Sequence, residues 1–330
     1  MAVTLAEAKS NTQTDLDVAA IDEFRKESGI LDTLIFDQAV NPAGGGATLT
    51  YGYRRQTTQG TAAFRAMNTE YTPGEVTTQR FSVELKPLGG SFQVDRVLAA
   101  QGPAASGAVA LNMREKIKAT STAFQDAVIN GDTAVDANGF DGLDKALTGS
   151  STEMTTTADW TDFDTNNRAE HKALDLIDEF LGLLDGAPTV LVTNRRTLAR
   201  VRAAVRRAGM YVQNPVDGLV DTQGRPITRE QYGNILLIDA GEKDGSNDPI
   251  VPIDAATGTT SIYAYRVGLD GFHGVSTAGG QLVQTFLPDF NTPGAVKMGE
   301  VELGPVGIAL KSTKAAAVLR GVKVAAGSGD

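Results

Sequence analysis

A dense group of arginines in the second half of the chain is its clearest set of residues able to bind a charged partner. They are Arg195, Arg196, Arg200, Arg202, Arg206 and Arg207. A guanidinium group binds carboxylates and phosphates through paired hydrogen bonds. Three interpretations stay open: a solvated helix face, salt bridges to a neighbouring copy of the chain, or contacts with phosphate. We expect Arg195, Arg196 and Arg200 to make contacts between subunits, which would set register more than affinity.

The sequence lacks the patterns of common catalytic and cofactor sites. It has no cysteine, which excludes thiolate zinc sites and cysteine nucleophiles, and only two histidines, His171 and His273. Glu170 beside His171 is typical of an exposed pair at a helix start. The clusters Gly44–Gly46 and Gly89–Gly90 lack the spacing of a phosphate loop or a dinucleotide-binding turn. We therefore predict no enzymatic activity, no cofactor and no metal; carboxylates brought together only by folding leave an enzyme as an alternative.

The charge balance argues against a protein whose main task is to grip a phosphate backbone. The chain has 330 residues, with 30 basic and 40 acidic ones, and a formal net charge of -10. Hydrophobic residues make up 41%, enough for a packed core, and 36 glycines with 12 prolines indicate many turns. The start lacks the pattern of a secretory signal, and no apolar run is as long as a membrane helix. We expect a protein that works in solution, in a cytoplasm and without a membrane.

Two alternating stretches predict a long β-hairpin. Their apolar residues are Leu49, Tyr51 and Tyr53 in the first stretch and Phe81, Val83 and Leu85 in the second. Arms of about ten residues would extend roughly 33 Å, and a ribbon of two strands is only marginally stable in water. The ribbon must therefore lie either on the sheet of its own domain or on an adjacent copy. The charged residues near its tip are predicted to pair between subunits: Arg54, Arg55, Arg65, Glu70 and Glu75.

Helical patterns flank and follow the hairpin. Residues 15–36 predict one or two short helices, which either dock on their own domain or form an arm over a neighbour. The apolar spacing over residues 101–130 predicts a helix of roughly 39 Å. A compact α/β unit is then predicted, with helices over residues 171–184 and 195–208 and buried strands over 189–192 and 235–238. Strand patterns follow over residues 262–267, 281–286, 296–303 and 306–311, before an Ala- and Val-rich segment over 315–324.

Short motifs accompany this order of parts. Asn130-Gly131-Asp132 ends the long helix, Phe140-Asp141-Gly142-Leu143 forms a turn after it, and Val190 to Gly209 gives a strand, Thr193-Asn194, a helix and a glycine. With these motifs in this order, nearly the whole chain resembles the major capsid proteins of tailed phages. The resemblance implies their Hong Kong 97-like fold, an α+β fold with an N-terminal arm, an extended β-hairpin loop, a peripheral domain with a long spine helix, and an axial α/β domain.

The resemblance also implies how the chain is divided and what it does. The arm would be residues 1–45, the extended loop 46–85 and the axial domain 166–289, while 86–165 and 290–330 would form the peripheral domain. The implied function is a subunit that assembles with itself into pentamers and hexamers of an icosahedral head. The head would enclose double-stranded DNA without sequence specificity, and the protein would be part of the virion after assembly in the host cytoplasm.

Two features depart from parts of that family. Some members cross-link a lysine of the extended loop to an asparagine on a neighbour, but no lysine lies between Gly46 and Leu85. We therefore expect noncovalent contacts, or an added decoration protein, to strengthen the shell. The start also lacks the long charged helical segment of a fused scaffold, which implies a separate scaffolding protein alongside a portal.

Three other functions remain as alternatives. An encapsulin-like compartment would have the same fold and enclose a protein cargo. A tail-tube subunit is a second alternative, although a long spine-like helix is unexpected there. A soluble α/β hydrolase or transferase would instead stay monomeric or form small oligomers around a substrate pocket.

Overall fold

The computed structural model describes residues 29–37, 49–100, 103–164, 168–209, 213–220, 226–246, 248–277 and 282–327. Most of the predicted arm lies outside these residues. The helices are α1 (Ile30–Thr33), α2 (Arg96–Ala100), α3 (Pro103–Asn130), α4 (Leu143–Leu147), α5 (Ala169–Leu181) and α6 (Arg195–Arg207), with a 3-10 turn at Thr313–Ala315. The strands are β1 (Phe36–Asp37), β2 (Thr50–Gln56), β3 (Thr78–Glu84), β4 (Lys86–Asp95), β5 (Glu153–Thr155), β6 (Val190–Thr193), β7 (Gln213–Val220), β8 (Pro226–Tyr232), β9 (Ile235–Asp239), β10 (Thr259–Tyr265), β11 (Phe272–Ser276), β12 (Val283–Phe286), β13 (Val296–Leu310) and β14 (Ala316–Lys323).

A five-stranded sheet forms around the long strand β13. Its order is β1-β11-β13-β12, and β4 pairs with β13 along the same strand. Helix α3 packs against β4 and β13, because both strands turn apolar residues toward it. The buried cluster between them contains Phe92, Val94, Met113 and Val301. The long helix predicted from the sequence is therefore supported by this sheet.

A seven-stranded sheet forms the second layer, in the order β5-β14-β10-β6-β9-β8-β7. Strand β6 is buried along its whole length, as its continuous apolar run predicts. Its residues alternate between two clusters. Leu191 packs with α5 and α6 through Phe180 and Val201, while Val190 packs on the opposite face with Tyr265. Helices α5 and α6 therefore cover one face of this sheet.

The two glycine motifs of the sequence meet in space at the end of α3. A side chain at Gly131 would collide with the carbonyl oxygens of Ala127 and Phe140, and the Gly142 amide donates to the Gly131 carbonyl at 2.8 Å. Only glycine fits such close backbone approach. The turn motif thus closes the helix end.

Two strand predictions were wrong in extent. The paired arms of the hairpin have seven residues each, over 50–56 and 78–84, so they extend roughly 23 Å rather than 33 Å. The residues between them, 57–77, contain no strand because Pro73, two glycines and several threonines interrupt the alternation. The strands predicted separately over 296–303 and 306–311 are one strand, since Gly304-Pro305 forms an irregularity in register instead of a turn.

Strand pairing crosses the predicted boundary at residue 289. Strands β11 and β12, before that residue, pair with β13, which follows it. In the other direction, β14 joins the seven-stranded sheet beside β10. The division of the chain into axial and peripheral domains stays a prediction, and the sheets do not follow it. No helix in the described part of the chain is long and apolar enough to cross a membrane.

Candidate assembly surfaces

The root of the hairpin is fixed to the body of the subunit by polar contacts to β13 and β1. The Tyr53 hydroxyl donates to the Leu310 carbonyl at 2.9 Å, and the Arg55 guanidinium donates to the carbonyls of Leu310 and Lys311 at 2.6 and 3.0 Å. Tyr51 donates to the Asp37 carboxylate at 2.9 Å. The hairpin therefore leaves the body at a defined place and angle.

An apolar cluster with one buried histidine lies under this root. Tyr51 packs with Leu85 and meets the His273 ring edge-on, with the ring centroids 6.0 Å apart. His273 is completely buried, and neither ring nitrogen makes a hydrogen bond of good geometry within the described residues. Burial, followed by the charge of Lys311, lowers the pKa of His273, while the Asp37 charge partly opposes the shift. Burial and the hydrogen bond to Asp37 raise the pKa of Tyr51. Both rings are thus held neutral at pH 7.

Beyond its paired strands the hairpin carries large exposed apolar side chains, with the Arg65 guanidinium carbon 5.2 Å from the centre of the Tyr71 ring. Where the paired strands end, threonines hold the two sides of the loop together: the hydroxyls of Thr57 and Thr77 lie 2.8 Å apart. All residues from 56 to 80 are exposed. The large apolar ones are Phe64, Met67, Tyr71 and Val76, and Met67 is 92% exposed. Such a cluster on a soluble protein is typical of a surface that binds a partner.

A second uncovered apolar surface lies on the five-stranded sheet, on the side away from α3. Val296 and Met298 alternate with buried residues along β13, and Met298 is 52% exposed. Phe286 of β12 lies opposite Glu300 in the register and is exposed on the same face, followed by exposed Leu287. This surface is called the sheet face below. The sequence pattern 296–303 predicted the strand, but one alternating strand does not show which neighbouring strands complete the face.

The structure separates the predicted tip residues into different environments. Arg55 is occupied within its own subunit, and its guanidinium carbon lies 4.4 Å from the centre of the Phe81 ring. Arg65 donates to the carbonyls of Ala66 and Thr69, so it shapes the local turn. Of the five, Arg55 has the most contacts within its own subunit, because it lies at the root instead of the tip.

Arg54, Glu70 and Glu75 are exposed and form no ion pair within the described residues. Arg54 lies directly opposite Arg80 in the register of the hairpin. Two like charges in this position destabilise a free ribbon, and an acidic neighbour would remove the repulsion. Contacts between subunits through these residues stay a prediction.

The arginines of α6 lie in a different part of the molecule. Asn194 caps the helix, accepting from the Thr197 amide at 3.0 Å, and its amide group donates to the Thr260 hydroxyl at 2.7 Å. Because Asn194 is buried and doubly anchored, the first turn is fixed in place. Arg195 and Arg196 are exposed there, and Arg200 is half-buried one turn later. The predicted residues thus form two separate sets, one on the hairpin and one on α6.

Sequence reasoning missed the residues that attach the hairpin and those of the sheet face. Tyr51 and Tyr53 were recognised as one face of a strand, but their hydroxyl partners lie outside that strand: Asp37 is 14 positions from Tyr51 and Leu310 is 257 positions from Tyr53. The single buried histidine gives no local signal at all, since His273 has no periodic pattern around it. Only the tertiary fold brings these groups together.

The described residues contain no cluster of His, Asp or Glu able to hold a metal ion. Glu170 and His171 lie 3.8 Å apart at a helix start, where His171 is exposed as the sequence indicated but Glu170 is half-buried. An open groove of about 620 Å³ beside the end of α3 contains Asp132. A salt bridge of 2.6 Å with Lys145 lowers the pKa of Asp132. Its carboxylate is therefore engaged in a structural ion pair.

Comparison with known proteins finds solved structures that share the fold of this chain. The chain matches no family model and no curated protein sequence. Among solved structures, the capsid of Myoviridae phage XM1 has a TM-score of 0.58 at 12% identity, covering 94% of this chain and 97% of that one. The holo encapsulin complex of Synechococcus elongatus PCC 7942 has a TM-score of 0.56 at 14% identity, covering 99% and 98%. The capsid of a native GTA particle has a TM-score of 0.53 at 16% identity, covering 83% and 85%.

The matches to the phage XM1 capsid and the encapsulin extend over nearly the whole length of both chains. At such low identity they establish architecture alone. The chain has the Hong Kong 97-like fold of tailed-phage major capsid proteins.

Proposed function

We propose that this chain is a shell subunit, a major capsid protein that assembles into pentamers and hexamers of an icosahedral head around double-stranded DNA. The observation that carries the proposal is the hairpin, which is fixed at its root and uncovered at its tip. A rigidly attached ribbon with exposed Phe64, Met67 and Tyr71 has apolar surface that its own subunit does not bury. Association with a second copy would bury it.

The sheet face is the surface we propose as the receiver of that tip. Met298 and Phe286 provide apolar area there, and the two surfaces differ in structure, so the contact is heterologous. A heterologous contact repeated around an axis closes into a ring when the rotation fits. The fold shared with phage capsids supports rings of five and six.

The remaining parts of the proposal concern partners and location. A separate scaffolding protein and a portal would guide closure, and a decoration protein could strengthen the shell. The protein would be assembled in the host cytoplasm and reside in the virion, with no enzymatic activity of its own. DNA would be enclosed without sequence specificity, in keeping with a chain of net charge -10 that repels its cargo.

An encapsulin-like compartment is the second candidate, favoured by the match to the Synechococcus encapsulin complex over 99% of this chain. The contents of purified particles distinguish the two. Nuclease-protected DNA supports the capsid, and a protein cargo supports the compartment.

Removal of residues 59–73 tests the role of the tip. We expect the shortened subunit to remain soluble and helical, because these residues are exposed and contain no helix or strand. It should form no closed shells under conditions in which the full chain does. A matched control replaces the same segment with Gly/Ser residues of equal length, and it should fail as well because the apolar side chains are gone. Normal shells from either variant would contradict the proposed role of the tip.

A further inference from the structure

The outward face of α6 is strongly basic, and Asp239 and Glu242 of its own subunit line the same groove as Arg195 and Arg196. The helix contains six arginines and no acidic residue, and its apolar side is buried on the sheet. Arg202 pairs with Glu230 at 2.5 Å, and Arg207 pairs with Asp164 at 2.5 Å. The other four form no ion pair within the described residues: Arg195, Arg196, Arg200 and Arg206.

This arrangement is electrostatically unfavourable in a free subunit. The N-terminal end of a helix is the positive end of its dipole, and Arg195 and Arg196 are the first two residues of α6. Arg196 and Arg200 are four residues apart on the same side, a spacing at which like charges destabilise a helix. A partner with negative charge would relieve both effects.

Helix α5, in the same layer, has the opposite arrangement. Asp178 and Glu179 lie in its last turn, next to the negative end of the dipole, and no basic residue is present there. Asp178 accepts a hydrogen bond from the Tyr232 hydroxyl at 2.8 Å. Asp175 and Glu179 are exposed and form no ion pair within the described part of the chain. The subunit thus presents two charged surfaces of opposite sign, and each has exposed charges that form no ion pair within the described residues.

We infer that Arg195, Arg196 and Arg200 of one copy dock against Asp175 and Glu179 of a second copy. The inference rests on the proposed function, because it names the partner of the arginine face within the shell. The two surfaces are different, so the contact is heterologous and can propagate around a ring. A second copy fits better than nucleic acid, because the chain carries the counter-charge itself and its net charge of -10 opposes binding of a polyanion.

Charge reversal with rescue tests this contact in the full chain. The basic variant pair is Arg195→Glu with Arg196→Glu, and the acidic pair is Asp175→Lys with Glu179→Lys. Each pair alone should raise the subunit concentration needed for shell formation by about tenfold or more, because like charges then face each other. The four changes together should restore assembly to within roughly threefold of the original. Arg206→Glu, on the same helix but at its far end, is the matched control and should assemble normally.

The thermal midpoint of the unassembled subunit distinguishes a lost contact between subunits from misfolding. Because glutamate suits the first turn of a helix, Arg195→Glu with Arg196→Glu should raise the thermal midpoint of the unassembled subunit by roughly 1–3 °C while it impairs assembly. A lower midpoint together with lost helical circular dichroism would assign the arginines to folding and overturn the inference.

The outcomes separate this inference from the proposed function. Shells at the original concentration from both reversed pairs, or no rescue by the combination, would overturn the contact while leaving the shell function in place. Normal shells that lose bound DNA would assign the arginines to nucleic acid and likewise overturn it. If the unchanged chain forms no shells, the proposed function fails, and the contact fails with it.

Discussion

At the scale of single residues, His273 links the attachment of the hairpin to pH. It is buried beneath Tyr51, with Lys311 and Asp37 as the nearby charged groups, and burial lowers its pKa. The unfolded chain has a histidine pKa of about 6.5, so between that value and the lower folded value the unfolded state binds more protons. The free energy of unfolding should therefore fall as pH falls through 6.5, by at most about 1.4 kcal/mol per pH unit, and level off once the folded form is protonated too.

Urea unfolding of the unassembled subunit between pH 7.5 and pH 5 measures this dependence. His273→Leu should flatten the curve over that range, because it removes the group that titrates. His171→Leu is the control, since His171 is exposed, and it should keep the slope of the original chain. Equal slopes for both variants would show that His273 does not cause the pH dependence of the free energy of unfolding.

The role of Arg55 could be predicted from the sequence only in part. Its place on a strand was predictable from the alternation of Tyr51 and Tyr53, but its carbonyl partners are about 255 positions away. Sequence proximity to the tip suggested a contact between subunits, which stays a prediction, and within its own subunit Arg55 holds the root. Long-range contacts of this kind are set by the tertiary fold, which leaves no local signal.

At the scale of elements, the hairpin should open at its root when Arg55 is removed. Arg55→Met loses the hydrogen bonds to Leu310 and Lys311, each worth about 1–3 kcal/mol for a charged donor. Trypsin should then cleave after Arg80 about 30-fold faster or more, because cleavage follows the population of the locally open form. Arg54→Met is the control, since Arg54 is exposed and forms no ion pair within the described residues. Equal cleavage rates in the two variants would show that Arg55 does not hold the root.

Helices were more predictable than strand partners. The spacing of apolar residues predicted α3, α5 and α6 to within about three residues at each end, because amphipathic periodicity is a local property. Strand β13 was predicted as two pieces, since a glycine followed by proline normally ends a strand. Strand β14 belongs to the seven-stranded sheet because it pairs with β10. Neither segment alone could have predicted this pairing.

At the scale of the whole molecule, three exposed surfaces are the basis for proposing that a subunit with a well-packed body assembles with partners. The hairpin tip, the sheet face and the arginine face of α6 lie outside the buried clusters of the two sheets. The first two have apolar area to bury, and the third has charge to compensate. The closed assembly of identical subunits that we propose would satisfy all three with one set of contacts.

The most direct test of that account is negative-stain electron microscopy, with light scattering, of the purified full-length chain expressed alone and together with its neighbouring genes. We predict uniform closed shells, or rings of five and six subunits, in at least the second preparation. A monodisperse monomer or dimer of about 34.6 or 69 kDa in both preparations would contradict the shell function.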